Sequence, residues 1–272
     1  MQSLIYLLIF LFGSALGSFL NVVILRLPKE QKLTGRSRCN NCGRTLGALD
    51  LIPLFSYLFL RGKCRYCKHK ISPRYFVIEA ITGILLTFAY AAILPQALTD
   101  YLLLLKVWIV ICVSLVTFVV DLENFIILSG VVLPFTLVMI FINFVSDLVL
   151  QQAFTAHSLF VSGILGAILG ALPIFILWYA SKWKTGESGS WMGFGDVELM
   201  LFLGAAVGVK LVGVVLFIAI ISGGFISVIL LASGKKTLKS RVPFGVFLTL
   251  AAVISLFFGS KILSWYLALL GF

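Results

Sequence analysis

The chain has 272 residues, of which 61% are hydrophobic and 11% are charged, and its mean hydropathy is +1.14. Soluble domains carry about 25% charged residues, so the composition excludes an ordinary soluble domain and favours an integral membrane protein. Its apolar runs are long enough for helices that each need ~20 residues to span a bilayer, and the short alternating segments of a membrane β-barrel are not seen. We therefore predict an all-α, polytopic membrane protein.

The apolar runs predict about eight spans, of which the sixth is short. They lie near residues 4–25, 76–94, 101–120, 126–147, 157–180, 197–209, 211–233 and 243–262. No Lys or Arg precedes the first run, whereas a cleavable signal peptide normally begins with a basic region, so we expect a retained helix. The predicted parts are a first transmembrane helix (1–25), a cytoplasmic loop domain (26–75) and a transmembrane core (76–272).

The net charge of +11 is unevenly distributed, because 12 of the 21 Lys and Arg residues lie between Arg26 and Arg74. Two further basic loops contain Lys182, Lys184, Lys235, Lys236, Lys239 and Arg241. By the positive-inside rule all three loops face the cytoplasm, which with eight spans places both termini outside. A basic patch can also bind nucleic acid. The favoured interpretation is a topological role with contacts to anionic membrane lipid and no nucleic-acid partner.

Two Cys-x-x-Cys pairs lie in the loop domain, Cys39 with Cys42 and Cys64 with Cys67. Their spacing suits a tetrahedral Zn²⁺ site, and a metal would stabilise a loop that is too small to form its own core. A cytoplasmic location argues against disulfides, and redox-active or metal-free thiols are the alternatives. Four thiolates leave no open coordination position, so the predicted zinc is structural. Cys112, inside the third span, is expected to be an inert apolar residue.

Two aspartates stand at the edges of apolar runs, where a carboxylate is costly without a function. Asp121 ends the third span, and Asp196 opens the sixth at the end of a Gly-x-Gly-Asp sequence. The predicted topology places both at the cytoplasmic surface, where two carboxyls sharing a proton could hydrolyse a peptide without a metal. A helix C-terminus would disfavour charge on Asp121, and a helix N-terminus would favour it on Asp196. The alternative is that both mark solvated helix ends.

Together, the residues resemble the prepilin peptidase family, which are bacterial inner-membrane aspartyl proteases, along nearly the whole chain. The matching segments are residues 17–24, 26–28, both cysteine pairs, 50–53, 56, 62–65, 71–75, 79, 193–196 and 243–245. A lone Gly-x-Gly-Asp would be weak evidence, whereas this ordered set is highly specific.

The resemblance implies that Asp121 and Asp196 are the catalytic pair and that the cysteine loop binds Zn²⁺. It implies that the substrates are type IV prepilins or type II secretion pseudopilins, which are cut on the cytoplasmic side after a glycine that ends a short basic leader. Many members with the cysteine loop also methylate the new N-terminal amine with S-adenosylmethionine. The family pattern makes Glu79 a candidate for methyl transfer, and a helix-start carboxylate is the alternative.

Three positions depart from the family pattern. Leu128-Ser129 replaces the usual Pro-Asp, Glu198 stands where a Lys often follows the second aspartate, and Phe76 stands where Pro is common. The missing proline is expected to loosen the turn or to let the helix start differently, and neither aspartate of the pair is removed. Because a basic leader and a basic loop repel, acidic groups near the site are needed, and Glu123 and Glu198 are the candidate contacts.

Two other functions fit part of the pattern. A membrane transporter would explain the many helices, but the acids cluster at one face and Lys106 is the one charge well inside a span. A zinc-bearing membrane adaptor without chemistry would need the cysteines but neither aspartate. Small-residue pairs such as Gly13 with Gly17 and Gly166 with Gly170 predict close helix packing, either within the chain or between copies.

Overall fold

The computed structural model describes residues 2–153, 155, 158–185, 193–233, 242–269 and 271. These residues form eight α-helices: α1 (Gln2–Arg26), α2 (Phe55–Phe59), α3 (Arg74–Ile93), α4 (Leu98–Asn124), α5 (Ser129–Val149), α6 (Leu159–Thr185), α7 (Phe194–Ala232) and α8 (Phe244–Leu269). The described part of the chain has no β-strand and only two isolated β-bridges, which confirms the all-α prediction. Four residues of the third basic loop, Lys235, Lys236, Lys239 and Arg241, lie outside the described residues.

The chain forms two compact units, Met1–Leu94 and Pro95–Phe272. In the first unit, α1 packs against α3 through small residues. A Cβ at Gly13 would lie 2.9 Å from Gly83 Cα, and one at Gly17 would lie 2.8 Å from Glu79 Cα. Small residues allow such close approach of helix backbones. The predicted Gly13–Gly17 packing face therefore works within the chain.

The second unit contains α4 to α8, packed around a core to which α7 contributes most. Fully buried apolar side chains come from α4, α5, α7 and α8, and they include Val110, Ile111, Met139, Leu199, Phe202, Leu203 and Leu248. The α6 helix approaches α7 through glycines, because a Cβ at Gly166 would lie 2.6 Å from the Gly204 oxygen. The Gly166–Gly170 pair is thus also an intrachain packing face.

The α7 helix reverses direction at Gly208, whose backbone is non-helical with φ of 73° and ψ of 178°. A Cβ at Gly170 would lie 2.6 Å from both Met200 and Val212 side chains, although these residues are 12 positions apart. Gly195 and Gly223 both lie near the start of α8. Gly195 contacts Ile127, which also contacts Gly245, and Gly223 contacts Phe247. In one straight helix Gly195 and Gly223 would be about 42 Å apart, so the two halves must run back alongside each other.

The helix α7 therefore consists of two arms, residues 194–207 and 209–232. Seven described helices are long and apolar enough to cross a membrane, and α7 is one of them with 39 residues. A straight helix of that length would measure about 58 Å, roughly twice a hydrocarbon core of ~30 Å. Its two arms correspond to the predicted sixth and seventh spans. The fold thus agrees with about eight crossings although it has seven long helices.

Polar side chains satisfy the backbone groups that the reversal leaves without helical partners. The Asn143 amide donates to the Ala205 oxygen at 2.9 Å, and the Val209 N–H donates to Ser162 Oγ at 3.2 Å. Lys106 Nζ in turn donates to Asn143 Oδ1 at 2.7 Å. In a membrane such groups are costly unless they are satisfied internally. Lys106, the one charge predicted well inside a span, therefore supports the turn between the arms.

Replacing Gly208 by alanine is expected to destabilise the protein, because only glycine adopts a φ of 73° without a steric penalty. This combination of positive φ and extended ψ is essentially confined to glycine and costs about 1–3 kcal/mol for other residues, and the new Cβ would lie 2.8 Å from Ser162 Oγ. Gly213→Ala is the matched control, since Gly213 is helical with open space around it and should gain about 0.5–1 kcal/mol. Thermal unfolding in detergent checks this; equal melting temperatures for the two variants would contradict the reversal.

Candidate active site and metal centre

Asp121 lies one turn before the end of α4, and its carboxylate is buried, with 5% of the residue exposed. Oδ2 accepts a hydrogen bond of 3.1 Å from the Val246 N–H and also interacts with the Gly245 N–H. Both donors belong to the first turn of α8, whose N–H groups have no helical acceptors. A helix N-terminus therefore faces Asp121.

Asp196 lies in the first turn of α7, for which Gly193 is the N-cap residue. Its side chain is buried, with 7% of the residue exposed, and interacts with the Gly193 N–H. The Asp196 N–H donates to the Gly193 oxygen at 3.3 Å. The glycine-rich sequence thus begins a helix and holds the carboxylate at its N-terminal end.

The two carboxylates are close enough to interact electrostatically, although 75 positions separate them. Ile127 packs against Gly195, next to Asp196, and against Gly245, which faces Asp121. A Cβ built at Gly195 would lie 2.7 Å from Ile127 Cβ, and one built at Gly245 would lie 3.1 Å from Ile127 Cδ1. The start of α5 forms without the family's proline, with Leu128 as the N-cap residue and Ser129 as the first helical residue. The end of α4 and the starts of α7 and α8 therefore meet at one end of the second unit.

Two helix ends act on the Asp121 carboxylate in opposite directions. Its position near the end of α4 predicts that the negative charge of Asp121 is disfavoured. The structure adds two N–H donors from α8, which favour the negative form. The sequence could not indicate this, because Val246 is 125 positions from Asp121. The Pro-Phe-Gly segment at the start of α8 marks the helix N-terminus in the sequence, but it does not show that Asp121 lies against it.

Replacing Gly245 by alanine is expected to displace the Asp121 carboxylate, because the new Cβ would lie 2.8 Å from Oδ2. A displacement near 1 Å typically lowers the rate of an enzyme by about 100-fold. Gly130→Ala at the start of α5 is the matched control, since nothing lies within 4 Å of that position. Initial cleavage rates of a membrane-embedded substrate check this, and equal rates for the two variants would count against a role for this contact.

The four loop cysteines lie together, with all four sulfur atoms within 4.8 Å of one another. None is in a disulfide. The Cys39 and Cys67 sulfurs are 3.8 Å apart, which matches the edge of about 3.8 Å in a tetrahedron with Zn–S bonds of ~2.3 Å. The donor set and its geometry fit a Zn²⁺ ion. Cys112 is separate from this cluster, in α4.

The two cysteine pairs form similar turns. Cys39 N–H donates to the Arg44 oxygen and Cys64 N–H to the His69 oxygen, at 3.0 and 2.9 Å. Four residues after each first cysteine the backbone has positive φ, 67° at Gly43 and 58° at Lys68. The sequence signalled the first turn by its glycine. Gly62 also has positive φ, and it precedes the second turn.

Backbone donors and neighbouring thiols set the charge of the cluster. The N–H of His69 lowers the pKa of Cys67 to about 6. Although the Arg44 N–H favours the Cys42 thiolate, burial and the thiols of Cys39 and Cys67 raise the pKa of Cys42 to about 11. Neighbouring thiols therefore oppose the ionisation of Cys42. A divalent metal would supply a compensating positive charge.

Asp50 joins the two turns of the loop. Burial opposes its charge, but the Arg65 guanidinium, the Gly47 N–H and the Tyr66 hydroxyl together hold the pKa of its carboxyl below the usual range. The Arg44 guanidinium lies 4.3 Å from the centroid of the Tyr66 ring, a cation–π contact between the turns. The sequence indicated Asp50 only as part of a matching segment, and the structure shows the contacts that it makes within the loop.

Glu79 lies in α3 and is buried. Its Oε2 accepts a hydrogen bond of 2.8 Å from the Leu54 N–H, and it also interacts with the Ser18 hydroxyl. Leu54 has a φ of 63°, so this bond stabilises a strained turn before α2. Glu79 therefore ties the loop to α1 and α3. It is the only predicted site residue in the first unit outside the cysteines.

Known proteins resemble this chain along nearly its whole length. A model of the bacterial peptidase A24 N-terminal domain matches residues 11–93, and a model of the type IV leader peptidase family matches residues 108–228. A prepilin leader peptidase/N-methyltransferase of Legionella pneumophila is 34% identical, covering 96% of this chain and 94% of that protein. Proteins of the same name from Aeromonas hydrophila and Pseudomonas putida are 31% and 28% identical, each covering 96% of this chain and 93% of the relative.

No solved structure matches the chain. The relatives nevertheless cover almost its full length, and the two family models match the two units separately. The chain belongs to the type IV leader peptidase family of prepilin leader peptidases.

Proposed function

We propose that this protein removes the leader peptide of type IV prepilins or type II secretion pseudopilins and then N-methylates the new N-terminus. The observation that carries the proposal is the pair of buried aspartates, Asp121 and Asp196, which interact at one end of a membrane bundle. A buried like-charge pair favours a shared proton, which is the state that aspartic proteases use. The names of the full-length relatives supply the substrate class and the second activity.

In the mechanism that we propose, Asp121 is the ionised partner because two α8 N–H groups donate towards it. Asp121 takes a proton from a water molecule whose oxygen attacks the scissile carbonyl carbon. Asp196 carries the shared proton and hydrogen-bonds the carbonyl oxygen. The C–N bond then breaks as the proton held by Asp121 passes to the leaving nitrogen. Burial strengthens these interactions, because it lowers the local dielectric.

The proposed orientation places this site at the cytoplasmic face of the bacterial inner membrane, with the N-terminus outside. The three basic loops and the eight crossings support it, since both aspartates then face the cytoplasm. The basic leader needs acidic contacts there. Glu198, two residues after Asp196, has a buried Oε2 without a hydrogen-bond partner among the described residues, and it is our first candidate, with Glu123 the second.

The loop domain (26–75) is proposed to be a structural zinc module between the first helix (1–25) and the protease core (76–272). Cys39, Cys42, Cys64 and Cys67 would hold the ion, which would replace a hydrophobic core and balance the thiolate charge. No step of hydrolysis is assigned to it.

For methylation we propose S-adenosylmethionine as the methyl donor. The loop domain contains a cavity of about 450 Å³, within the usual size of small-molecule sites, lined in part by Tyr57, Arg61, Lys63 and Lys70. The cations of the lining fit the carboxylate of the donor, and Tyr57 contributes an aromatic ring to the lining. Glu79 does not line this cavity, so its proposed part in methylation is to position the loop through Leu54.

The test is incubation of the full-length protein in liposomes with a leader-bearing substrate and S-adenosylmethionine, followed by mass analysis of the product N-terminus. We expect loss of the leader and addition of one methyl group. Loss of the leader without a methyl group would reject only the second activity. No cleavage of any pilin-like substrate would reject the proposal, and aspartate-independent uptake of a labelled solute would favour a transporter.

A further inference from the structure

An apolar cavity of about 240 Å³ lies between the end of the second α7 arm and the start of α8. Its lining includes Ile220, Gly224 and Ser227 from α7 and Phe244 and Phe247 from α8. None of the described residues that line it is charged. Because these helices are within the membrane-spanning part of the chain, an occupant must be apolar.

The cavity adjoins the candidate active site through one turn of α8. Phe244 and Phe247 line the cavity, while Gly245 and Val246, between them, direct their N–H groups at Asp121. The lining of the cavity and the N–H groups that hold the carboxylate therefore belong to the same helical turn, which rises about 5.4 Å.

Small residues on α7 leave the outer side of the cavity open. Gly223 packs on the Phe247 ring, with a built Cβ 3.3 Å away, whereas nothing lies within 4 Å of Gly224. Ile220, one turn earlier, is 59% exposed. Glycine and serine on a helix face allow another helix to approach closely in a membrane. The opening is therefore suited to a helix rather than only to lipid chains.

We propose that this α7–α8 groove binds the hydrophobic helix of the leader-bearing substrate, next to the bond that is cut. The inference rests on the proposed function, because it is the position beside Asp121 that selects this occupant. Docking there delivers the end of the substrate helix past Phe244 towards the two carboxylates. The groove would thereby select substrates with a membrane helix over free leader peptides.

The kinetic test uses Gly224→Leu, which adds a side chain to the groove at a position where a Cβ meets nothing within 4 Å, and Gly213→Leu, an equally open glycine about 16 Å away along the same arm. For a full-length membrane-embedded substrate we expect Gly224→Leu to raise KM at least about tenfold, as extra groups in an apolar site do. Cleavage of a short peptide that lacks the helix should not change, and Gly213→Leu should behave as wild type. Full-length cleavage unaffected by Gly224→Leu, or both substrates slowed equally, would overturn the proposal.

A second measurement does not depend on the fold of the leucine variant. A benzophenone amino acid placed at Ile220 in the strongly impaired Asp121→Asn background should crosslink to the substrate helix, whereas one at Phe141 of α5, which is 64% exposed, should crosslink to lipid. Equal substrate capture at both positions, or lipid capture alone at Ile220, contradicts the groove. If wild type cleaves neither substrate, the proposed function itself fails and the groove fails with it.

Discussion

Replacing either active-site aspartate by asparagine is expected to lower kcat/KM for leader cleavage by about 10²–10⁴, the range typical of a lost acid or base. Asp121→Asn should be the more damaging change, because it removes the group that takes the proton from water. The amide introduced by Asp196→Asn retains an N–H donor for the carbonyl, so that variant should leave more residual activity. The two carboxylates act as a unit, and the double variant should therefore be little worse than Asp121→Asn.

The matched control for these substitutions is Asp100→Asn at the other end of α4. Asp100 is half-buried in the first turn of α4 and accepts hydrogen bonds from the Gln96 and Ala97 N–H groups, which the amide oxygen of Asn can also accept. The Asp100→Asn variant should be as active as wild type. Additive losses in the double variant, or a similar loss in Asp100→Asn, would show that the aspartates do not work as a catalytic pair.

Removing the metal is expected to unfold the loop domain while leaving the second unit folded. Zinc in small structural sites contributes about 10–16 kcal/mol, far more than a loop without a core provides by itself. Cys64 is the most buried of the four ligands, with 1% exposed, so Cys64→Ser should abolish stoichiometric zinc binding. The loop between α1 and α3 should then become sensitive to protease.

Cys112→Ser serves as the control for the loss of a thiol, because Cys112 lies in α4 apart from the cluster. It should retain one zinc ion per chain and a protected loop. Zinc content by atomic spectroscopy and limited proteolysis measure both effects. A Cys64→Ser protein with full zinc content, or with a protected loop after chelation, would contradict a structural zinc site.

Local sequence patterns predicted much of this fold because each depends on nearby residues. Apolar runs located the helices, and the interval near residue 210 separated two spans where the structure reverses at Gly208. The spacing of the cysteines predicted their cluster, since both pairs form local turns. Gly13 and Gly166 marked packing faces that the structure places within the chain.

Contacts between distant segments could not be predicted in this way. The donation from Val246 to Asp121 joins residues 125 positions apart, and no local pattern carries it. The same holds for Asn143, which binds the Ala205 oxygen beside the reversal, and for the bond from the Leu54 N–H to Glu79. The helix-end argument for Asp121 was incomplete, because a helix other than its own supplies N–H donors to this carboxylate.

The most direct test of the central claim is the mass of the substrate N-terminus after incubation with wild type, Asp121→Asn and Asp196→Asn proteins of matched melting temperature. The account predicts that wild type shortens the substrate by cutting a single bond after the leader. Over the same incubation time, the folded variants should leave the substrate essentially intact. Equal amounts of the shortened product from all three proteins would show that this pair of carboxylates does not hydrolyse the leader.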